Sequence, residues 1–375
     1  MISINVNPEN KSMPTIWNDT KSWVNIVKNG AGKTYIPAYN INQIGDWNLH
    51  HGYQAYLTSN KTLVASGSPI EPENSPIILN SGWNIIPYLR SSNVSIVSAL
   101  ASLTSSNSLV IAKNNSGKTH IPQYNINQIG NMEIGQGYQV YLSKLDTLYY
   151  PSNSQGKGNS SFEVSPEPNF LIPAYKRTGN SSTLIIRADN LPNKSEIGVY
   201  NTDDMLIGSG ILINGTTAIT IWRDDENSTY VDGAKRDEKL SIKVYNNISK
   251  KLYEAKLVNI INYFNNNTLN GFTYVKDSFV TADLETEGTE VSFISINPHP
   301  ATGILKLQLM TKNNSKVSVQ LINLAGELIQ NIVNDALSSG AWYIESDISK
   351  ISSGEYNVVI KIDNLIEIRK LIINN

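Results

Sequence analysis

An all-β protein of several domains is the fold this sequence predicts, and three observations carry the prediction. The stretch Lys28–Leu63 recurs 85 residues later as Lys113–Leu148, with 21 of 36 positions identical, so a structural unit has been duplicated. Beyond residue 180 apolar side chains alternate in short runs: Leu184 and Ile186, Ile219 and Ile221, then Tyr356, Val358, Ile360 and Ile362. A period of two is that of a strand with one face buried. Asn, Ser, Thr and Gly fill the polar positions, and charged residues make up only 17% of the chain, a composition suited to strands joined by turns. Together these predict tandem β-rich repeats with short helices, followed by two β-sandwich domains, the last immunoglobulin-like.

The totals exclude several functions. A net charge of −2 leaves no cationic excess for a phosphate backbone, so nucleic acid is not an expected partner. Cysteine is absent, which removes disulfides, thiolate metal sites and Cys nucleophiles. No apolar run reaches the roughly 18 residues of a helical membrane span. No signal peptide is visible at Met1.

Residues 1–150 hold the two 85-residue repeats. Met1–Val6 reads as a strand, and 12–22 and 94–105 as helices, the latter from Val94, Val97, Leu100, Ala101 and Leu103 at helical spacing. The shared core is Tyr39-Asn40-Ile41-Asn42-Gln43-Ile44-Gly45 and Tyr124-Asn125-Ile126-Asn127-Gln128-Ile129-Gly130, followed by Gly52-Tyr53-Gln54 and Gly137-Tyr138-Gln139. Gly82-Trp83-Asn84 opens a strand in the second copy; its first-copy counterpart falls upstream of Met1. The first repeat is therefore expected to be truncated at its N-terminus, and the missing leader says nothing against export. Residues 151–160 (Pro-Ser-Asn-Ser-Gln-Gly-Lys-Gly-Asn-Ser) read as a linker, 161–283 as a β-sandwich module, 284–290 as a polar linker, and 291–375 as a second sandwich.

The Gly-Trp-Asn, Asn-Gln-Ile-Gly and Gly-Tyr-Gln pieces, in that order, resemble tandem repeats of Bacteroidota surface proteins. The run Glu196–Tyr200, Ile207–Gly210 and Ala218–Asp225 is similar to a β-sandwich module found in the same kinds of protein, with Arg223 where glycine is usual. The last 85 residues resemble the C-terminal sorting domain of type IX secretion cargo. The residues carrying that likeness are Asn297, Pro298, Pro300, Gly326, Gly354, Tyr356 and Lys370, with His299 where asparagine is usual. The resemblance implies export to the extracellular space or outer cell surface, the secretion machinery as a partner, and no particular activity.

Candidate chemistry is sparse. His50, His51, His120 and His299 form no metal-ligand pattern, and His50 and His51 become Gly135 and Gln136 in the second copy. Gly32-Lys33-Thr34 and Gly117-Lys118-Thr119 end like a phosphate loop, but Val27 and Ala112 stand where its first glycine belongs. No Gly-x-Ser-x-Gly elbow is present. Asp224, Asp225 and Asp232, with Glu226 and Asn227, are the candidate metal ligands, and an all-oxygen set would take Ca²⁺; they lack the EF-hand spacing, and a solvated turn between strands is the plainer account of them. No other cofactor is expected. Tyr53 and Tyr138 are candidate glycan contacts, although Trp47 becomes Met132 in the second copy, as a core position allows. Asn-x-Ser/Thr triplets, such as Asn10, Asn60 and Asn214, are potential glycan acceptors.

The expectation is a non-enzymatic extracellular structural or adhesive protein. Its truncated first repeat would expose a sheet edge for head-to-tail self-assembly into a filament by strand exchange. A carbohydrate-binding surface module and an unrecognised hydrolase are the alternatives.

Overall fold

The computed structural model describes the chain except residues 155–163, 174–179, 226–230, 291–292, 298–299 and 312–313. It is mostly strand with few, short helices, and it divides into two compact units, Met1–Ser165 and Pro166–Asn375.

In the first unit both repeats build the same sheet. The first copy orders its strands Ile41–Asn42, Thr34–Ile36, Val24–Asn29, Tyr53–Leu57; the second orders Ile126–Asn127, Thr119–Ile121, Leu109–Lys113, Gly137–Leu142, and adds a fifth strand, Gly82–Pro87. The duplicated residues hold the turns of this sheet. Asn40 and Asn125 take φ of 55° and 52°, a left-handed conformation that asparagine tolerates better than most side chains. The Asn42 and Asn127 carboxamide oxygens accept the Gly45 and Gly130 amides at 2.9 and 3.0 Å. Gln43 and Gln128 accept the Thr34 and Thr119 hydroxyls at 3.0 and 2.9 Å. In the Gly-Lys-Thr turns, the Asn29 oxygen accepts the amides of Ala31 and Lys33, and Asn114 those of Ser116 and Lys118. Those amides face a side chain of their own turn, the opposite of a phosphate cradle.

The shared Gly-Tyr-Gln marks where the copies clasp each other. A Cβ on Gly52 would lie 2.6 Å from the Ile86 carbonyl oxygen, and one on Gly137 would lie 2.9 Å from that of Ile2. The clasp is reciprocal: each repeat presses its glycine against the backbone of the other. Gly52→Ala is expected to destabilise the unit by about 2 kcal/mol, since backbone rather than a flexible side chain must yield. Chemical denaturation beside Gly135→Ala, where open space surrounds the position but φ is +81°, separates steric clash from backbone strain.

Local elements depart from the sequence in three places. The 12–22 helix is a single turn, Met13–Ile16, followed by a 3₁₀ turn, Lys21–Trp23. The 94–105 helix breaks at Leu100 (φ −103°, ψ 16°) into Ile96–Ala99 and Ala101–Ser105. Of Met1–Val6, only Val6 enters a strand, Val6–Asn7, which pairs with Ser68–Pro69, while Ile2 makes isolated bridges to Tyr53 and Gln136.

The 151–160 linker also needs correcting. Buried Arg90 donates to the Pro151 carbonyl at 2.6 Å and to that of Ser152, and Asn153 accepts the Ser91 amide at 2.9 Å. A buried guanidinium needs acceptors, and this one recruits the chain that follows its own repeat. Residues 155–160 lie outside the described residues. Ser165 then donates to the Asn127 carbonyl at 2.8 Å, so the first unit extends to Ser165.

In the second unit, the module is one continuous sheet wrapped around its core. The order is Leu206–Ile211, Glu196–Tyr200, Ser241–Asn246, Lys251–Asn262, Phe279–Glu290, Ser181–Arg187, Thr216–Trp222. Leu184, Ile197, Ile207, Ile219, Ile242 and Val280 share the interior. The ends of the sheet lie face to face through glycines: a Cβ on Gly208 would sit 2.8 Å from the Thr220 carbonyl oxygen. Alternation predicts an antiparallel sandwich, yet Ser181–Arg187 and Phe279–Glu290 run parallel. The 284–290 linker is in fact the second half of the strand Phe279–Glu290, with Leu284 opposite Leu257 and Glu285 opposite Lys256. Glu285 suits a strand whose outer face is wet: its side chain is exposed and pairs with Lys256 at 3.4 Å. Arg223 is accommodated because the close approach falls on Gly233, whose Cβ would lie 2.5 Å from the Arg223 carbonyl carbon.

The last domain is a two-sheet sandwich. Phe293–Asn297, Ile304–Thr311 and Gly340–Asp347 face Leu328–Leu337, Ser315–Asn323, Gly354–Ile362 and Leu365–Ile373, all antiparallel. Leu305, Leu307 and Leu309 meet Val317, Val319, Val358 and Ile360 between them. Three strands against four is the immunoglobulin-like arrangement.

Candidate functional site

The two repeats differ at one edge of the sheet, and there the first copy has a half-buried lysine beside an exposed tyrosine. In the second copy Gly82–Pro87 covers the edge of Gly137–Leu142 over six residue pairs, with Trp83 opposite Tyr141. Gly82 turns the chain at φ +89°, and Asn84 ties that turn by donating to the Asn80 and Gly82 carbonyls at 2.8 and 3.0 Å. Trp83 then meets the Tyr141 ring edge-on at 5.3 Å, and the Lys113 ammonium lies 5.2 Å from the indole centroid, within cation–π range. The first copy keeps the lysine and the tyrosine: Lys28 Nζ is 5.8 Å from the Tyr56 centroid. Its sheet ends at Tyr53–Leu57. Lys113 is 3% exposed, whereas Lys28 is half-buried and Tyr56 is 37% exposed. The sequence names Gly82-Trp83-Asn84 but does not reveal this triad; the retention of Lys28/Lys113 and Tyr56/Tyr141 in both copies was the available signal.

The candidate glycan contacts are overturned. Tyr53 and Tyr138 are buried, and their hydroxyls accept the Asn48 and Glu133 amides at 2.8 Å each. Their rings offer no face to a sugar; Tyr53 instead packs on Trp47 at 4.2 Å. Trp47 and Met132 both lie in the core, as their exchange suggests.

The histidines do not gather. His50 and His51 are exposed, and burial holds the buried His120 below the ordinary histidine value, its Nδ1 donating to the Ile126 carbonyl at 3.1 Å. His299 lies outside the described residues. An open groove of about 350 Å³ in the first unit carries one imidazole, His50, and one carboxylate, Glu71, in its lining; Glu71 accepts from Asn74 at 2.7 Å.

Asp224 and Asp232 close their own loop. Asp232 donates its amide to an Asp224 carboxylate oxygen at 2.7 Å, and Asp225 donates its amide to Asp232 at 2.9 Å. Glu226 and Asn227 lie outside the described residues, and among the described residues no group of three or more His, Asp or Glu side chains could hold a metal ion. Burial, helped by the Asp224 and Asp225 charges, pushes the Asp232 carboxyl up to about 6. The folded state then holds a proton that the unfolded chain releases near 3.8, so stability should fall as pH rises through that window. Asp232→Asn keeps the acceptor and removes the charge. Denaturant titrations at pH 4, 5, 6 and 7 should show the variant more stable than the parent at pH 7, and its pH slope flattened.

The sorting-type residues of the last domain are structural. Asn297 ends the strand Phe293–Asn297; Pro298 lies outside the described residues, and Pro300 is half-buried. Ala301, next in the motif, is buried, donates to the Ile372 carbonyl at 2.7 Å and accepts from Asn374 at 2.9 Å, stitching the motif to the final strand. Gly326 turns at φ +85°, with Asn323 accepting the Ala325 and Glu327 amides at 3.0 and 2.9 Å. Gly354 opens the strand on which Tyr356 donates to the Ser352 carbonyl at 2.8 Å. Lys370 pairs with Glu355 at 2.9 Å on the surface.

Residues 295–374 match a family described as the secretion system C-terminal sorting domain. The chain ends in a secretion sorting domain. That sorting domain belongs to type IX secretion: it implies a partner in the secretion machinery and marks the protein for the cell surface or extracellular space. Among the described residues no helix is long and apolar enough to cross a membrane. No curated protein matches the chain. Solved structures that align with it include dimeric latent PorU from Porphyromonas gingivalis, at 11% identity and a TM-score of 0.21, and a tetra-tandem repeat in the extending region of a large adhesion protein, at 9% and 0.15. The first alignment covers 65% of this chain and 26% of that one, the second 98% and 92%. The chain thus spans about a quarter of PorU, and neither likeness is close enough to support an argument. The sorting domain sets the address of the protein and leaves its task to the residues before it.

Proposed function

We propose that this protein is a non-catalytic structural or adhesive component of a Bacteroidota-type cell surface, and that it assembles head to tail by strand addition at the first repeat. One observation carries the reading: the residues both repeats retain are spent on turns, on the clasp and on packing. Asn42, Gln43, Gly52 and Tyr53, and their partners 85 residues on, all have backbone or core duties, and neither copy repeats an acid or base of the other in a shared cleft. A duplicated scaffold of this kind provides surface and length. The terminal strand Tyr53–Leu57 supplies the edge through which neighbours would join.

Light scattering with negative-stain imaging tests the assembly: polymers whose mass grows with concentration are expected, and a monodisperse monomer at high concentration removes the filament. Glycan-array binding lost on Tyr39→Ala and Tyr56→Ala would replace the structural reading with a carbohydrate-binding one. Substrate turnover abolished by a single carboxylate change would replace both with a hydrolase.

A further inference from the structure

We infer that the module of the second unit carries a binding groove for a ligand with a carboxylate head and an apolar body, with Lys239 as the cation that receives the head. The site goes beyond the assembly reading and does not rest on it.

The groove is built by the connection between the strands Asn267–Thr268 and Phe279–Glu290. It is open to solvent and holds about 510 Å³, within the range of small-ligand clefts. Backbone bonds pin the connection along its length. Leu269 donates to the Ile260 carbonyl at 2.8 Å, Tyr274 to that of Glu238 at 2.9 Å and Ser278 to that of Val275 at 3.2 Å, while Leu240 donates to the Phe272 carbonyl at 3.1 Å. This pairing sets Lys239 directly opposite Thr273. Alternation does the rest: Glu238, Leu240, Phe272 and Tyr274 are buried, whereas Lys239 and Thr273 are exposed side by side.

The groove is apolar below and rich in donors above. Leu269, Phe272 and Val280 give it an apolar lining, and Val275, 48% exposed, adds to that surface. No carboxylate lines it. Among the described residues, the Lys239 ammonium has no ion pair, and the Asn270, Thr273 and Ser278 side chains have no hydrogen-bond partner. The Asn262 carboxamide oxygen accepts the Phe264 amide at 3.0 Å, which leaves its NH₂ to the groove. The acids nearby serve other partners: Asp237 pairs with Arg236 at 3.5 Å, Asp277 with Lys276 at 3.8 Å, and Glu238 accepts the Thr202 and Lys235 amides at 2.9 and 2.7 Å. One cation among neutral donors balances one negative charge, so a monocarboxylate fits and a phosphate dianion is left under-neutralised. The lining below rewards an apolar body behind that head.

The test titrates the full chain with octanoate, below its micellar concentration, and follows the backbone amides by NMR. Octanol, which keeps the body without the charge, and acetate, which keeps the charge without the body, are the controls. Expected are saturable shifts confined to residues 239, 262 and 269–280, with octanol and acetate binding at least fivefold more weakly. The same loss is expected in Lys239→Gln, and in Asn270→Asp, which sets a negative charge beside the head. The margin is modest because an ion pair at an exposed lysine is partly screened. Both side chains are exposed, so the remaining amides should not move. Octanol binding as tightly as octanoate overturns the inference, as do shifts scattered over other apolar surfaces, or a Lys239→Gln variant that binds like its parent. Acetyl-Ala-Leu, compared with its C-terminal amide, separates the two sources of such a head. Tighter than octanoate and lost in the amide, it assigns the groove to a peptide C-terminus; weaker, it assigns the groove to a free organic acid. Binding of neither removes the site. None of these readouts depends on polymer growth, so the groove and the assembly fail separately.

Discussion

Replacing Asp204 with asparagine should cost the second unit about 3 kcal/mol or more, because it breaks one partner out of an ion network with a buried cation. The Lys243 side chain is 6% exposed. It reaches one Asp204 carboxylate oxygen at 2.6 Å, while Arg369 of the last domain donates to the other at 2.5 Å. The next carboxylate, Glu254, is 4.0 Å from Lys243 and half-exposed. The Tyr200 ring, 4.5 Å below the ammonium, helps but does not neutralise it. Asparagine is the right probe, since Asp204 sits at φ 55° and asparagine tolerates that conformation, so the loss reports charge rather than backbone strain. Adding Lys243→Met should recover much of it, because a buried ammonium without its partner costs more than an apolar side chain in its place. Denaturant unfolding of the four variants in a cycle gives the coupling directly. Hydrogen exchange should also quicken along Leu365–Ile373, the strand that carries Arg369. A loss below about 1 kcal/mol would show that Glu254 or water takes over the lysine.

That network was invisible in the sequence for a definite reason. Asp204 lies in a turn and Lys243 and Arg369 on two separate strands, and no local pattern distinguishes them from the other charges of a solvated surface. What could be read was local or repeated. The Asn40 and Asn125 conformers, the Asn42 and Gln43 ties and the Gly326 and Gly354 positions all act within a few residues of themselves, or within one hairpin, and so leave a motif. Alternation was a sound guide to strands, as at Tyr356–Ile362, but it carries no direction, and the parallel pairing of Ser181–Arg187 was hidden. It also failed at Leu284–Glu290, where polarity reads as linker although the segment is hydrogen-bonded to a strand some thirty residues earlier. Tyr53 and Tyr138 were misplaced by the same blindness. A tyrosine whose hydroxyl is satisfied five residues away looks, in sequence, like one that waits for a ligand.

Glu196→Ala should be the most damaging single change in the module, at about 4 kcal/mol. Glu196 is buried on the strand Glu196–Tyr200, and its two oxygens take three successive amides: Asn169 at 2.8 Å, Phe170 at 3.1 and 2.9 Å, and Leu171 at 2.6 Å. The segment entering the module is not a strand, so the carboxylate stands in for the ladder carbonyls those amides would otherwise meet. Each buried amide left unmade costs about 1–3 kcal/mol, and bonds to a charged acceptor lie at the upper end. The damage spreads because those amides position Phe170 and Leu171, which fill a cluster with Tyr200, Leu206, Tyr245, Leu252 and Met310. Phe170 stacks on Tyr245 at 4.0 Å and receives the edge of Tyr343 at 5.5 Å, so the carboxylate holds in place the aromatic contact between the module and its sorting domain. Glutamine should not rescue it fully. It offers one acceptor oxygen where two are used, and turns an NH₂ donor toward amides that are themselves donors. The expected order of stability is parent, Glu196→Gln, Glu196→Ala, with the near-ultraviolet tyrosine signal changing in the same order. An alanine variant within about 1 kcal/mol of the parent would mean that water reaches those three amides and that the entry of the chain is held by Phe170 packing alone.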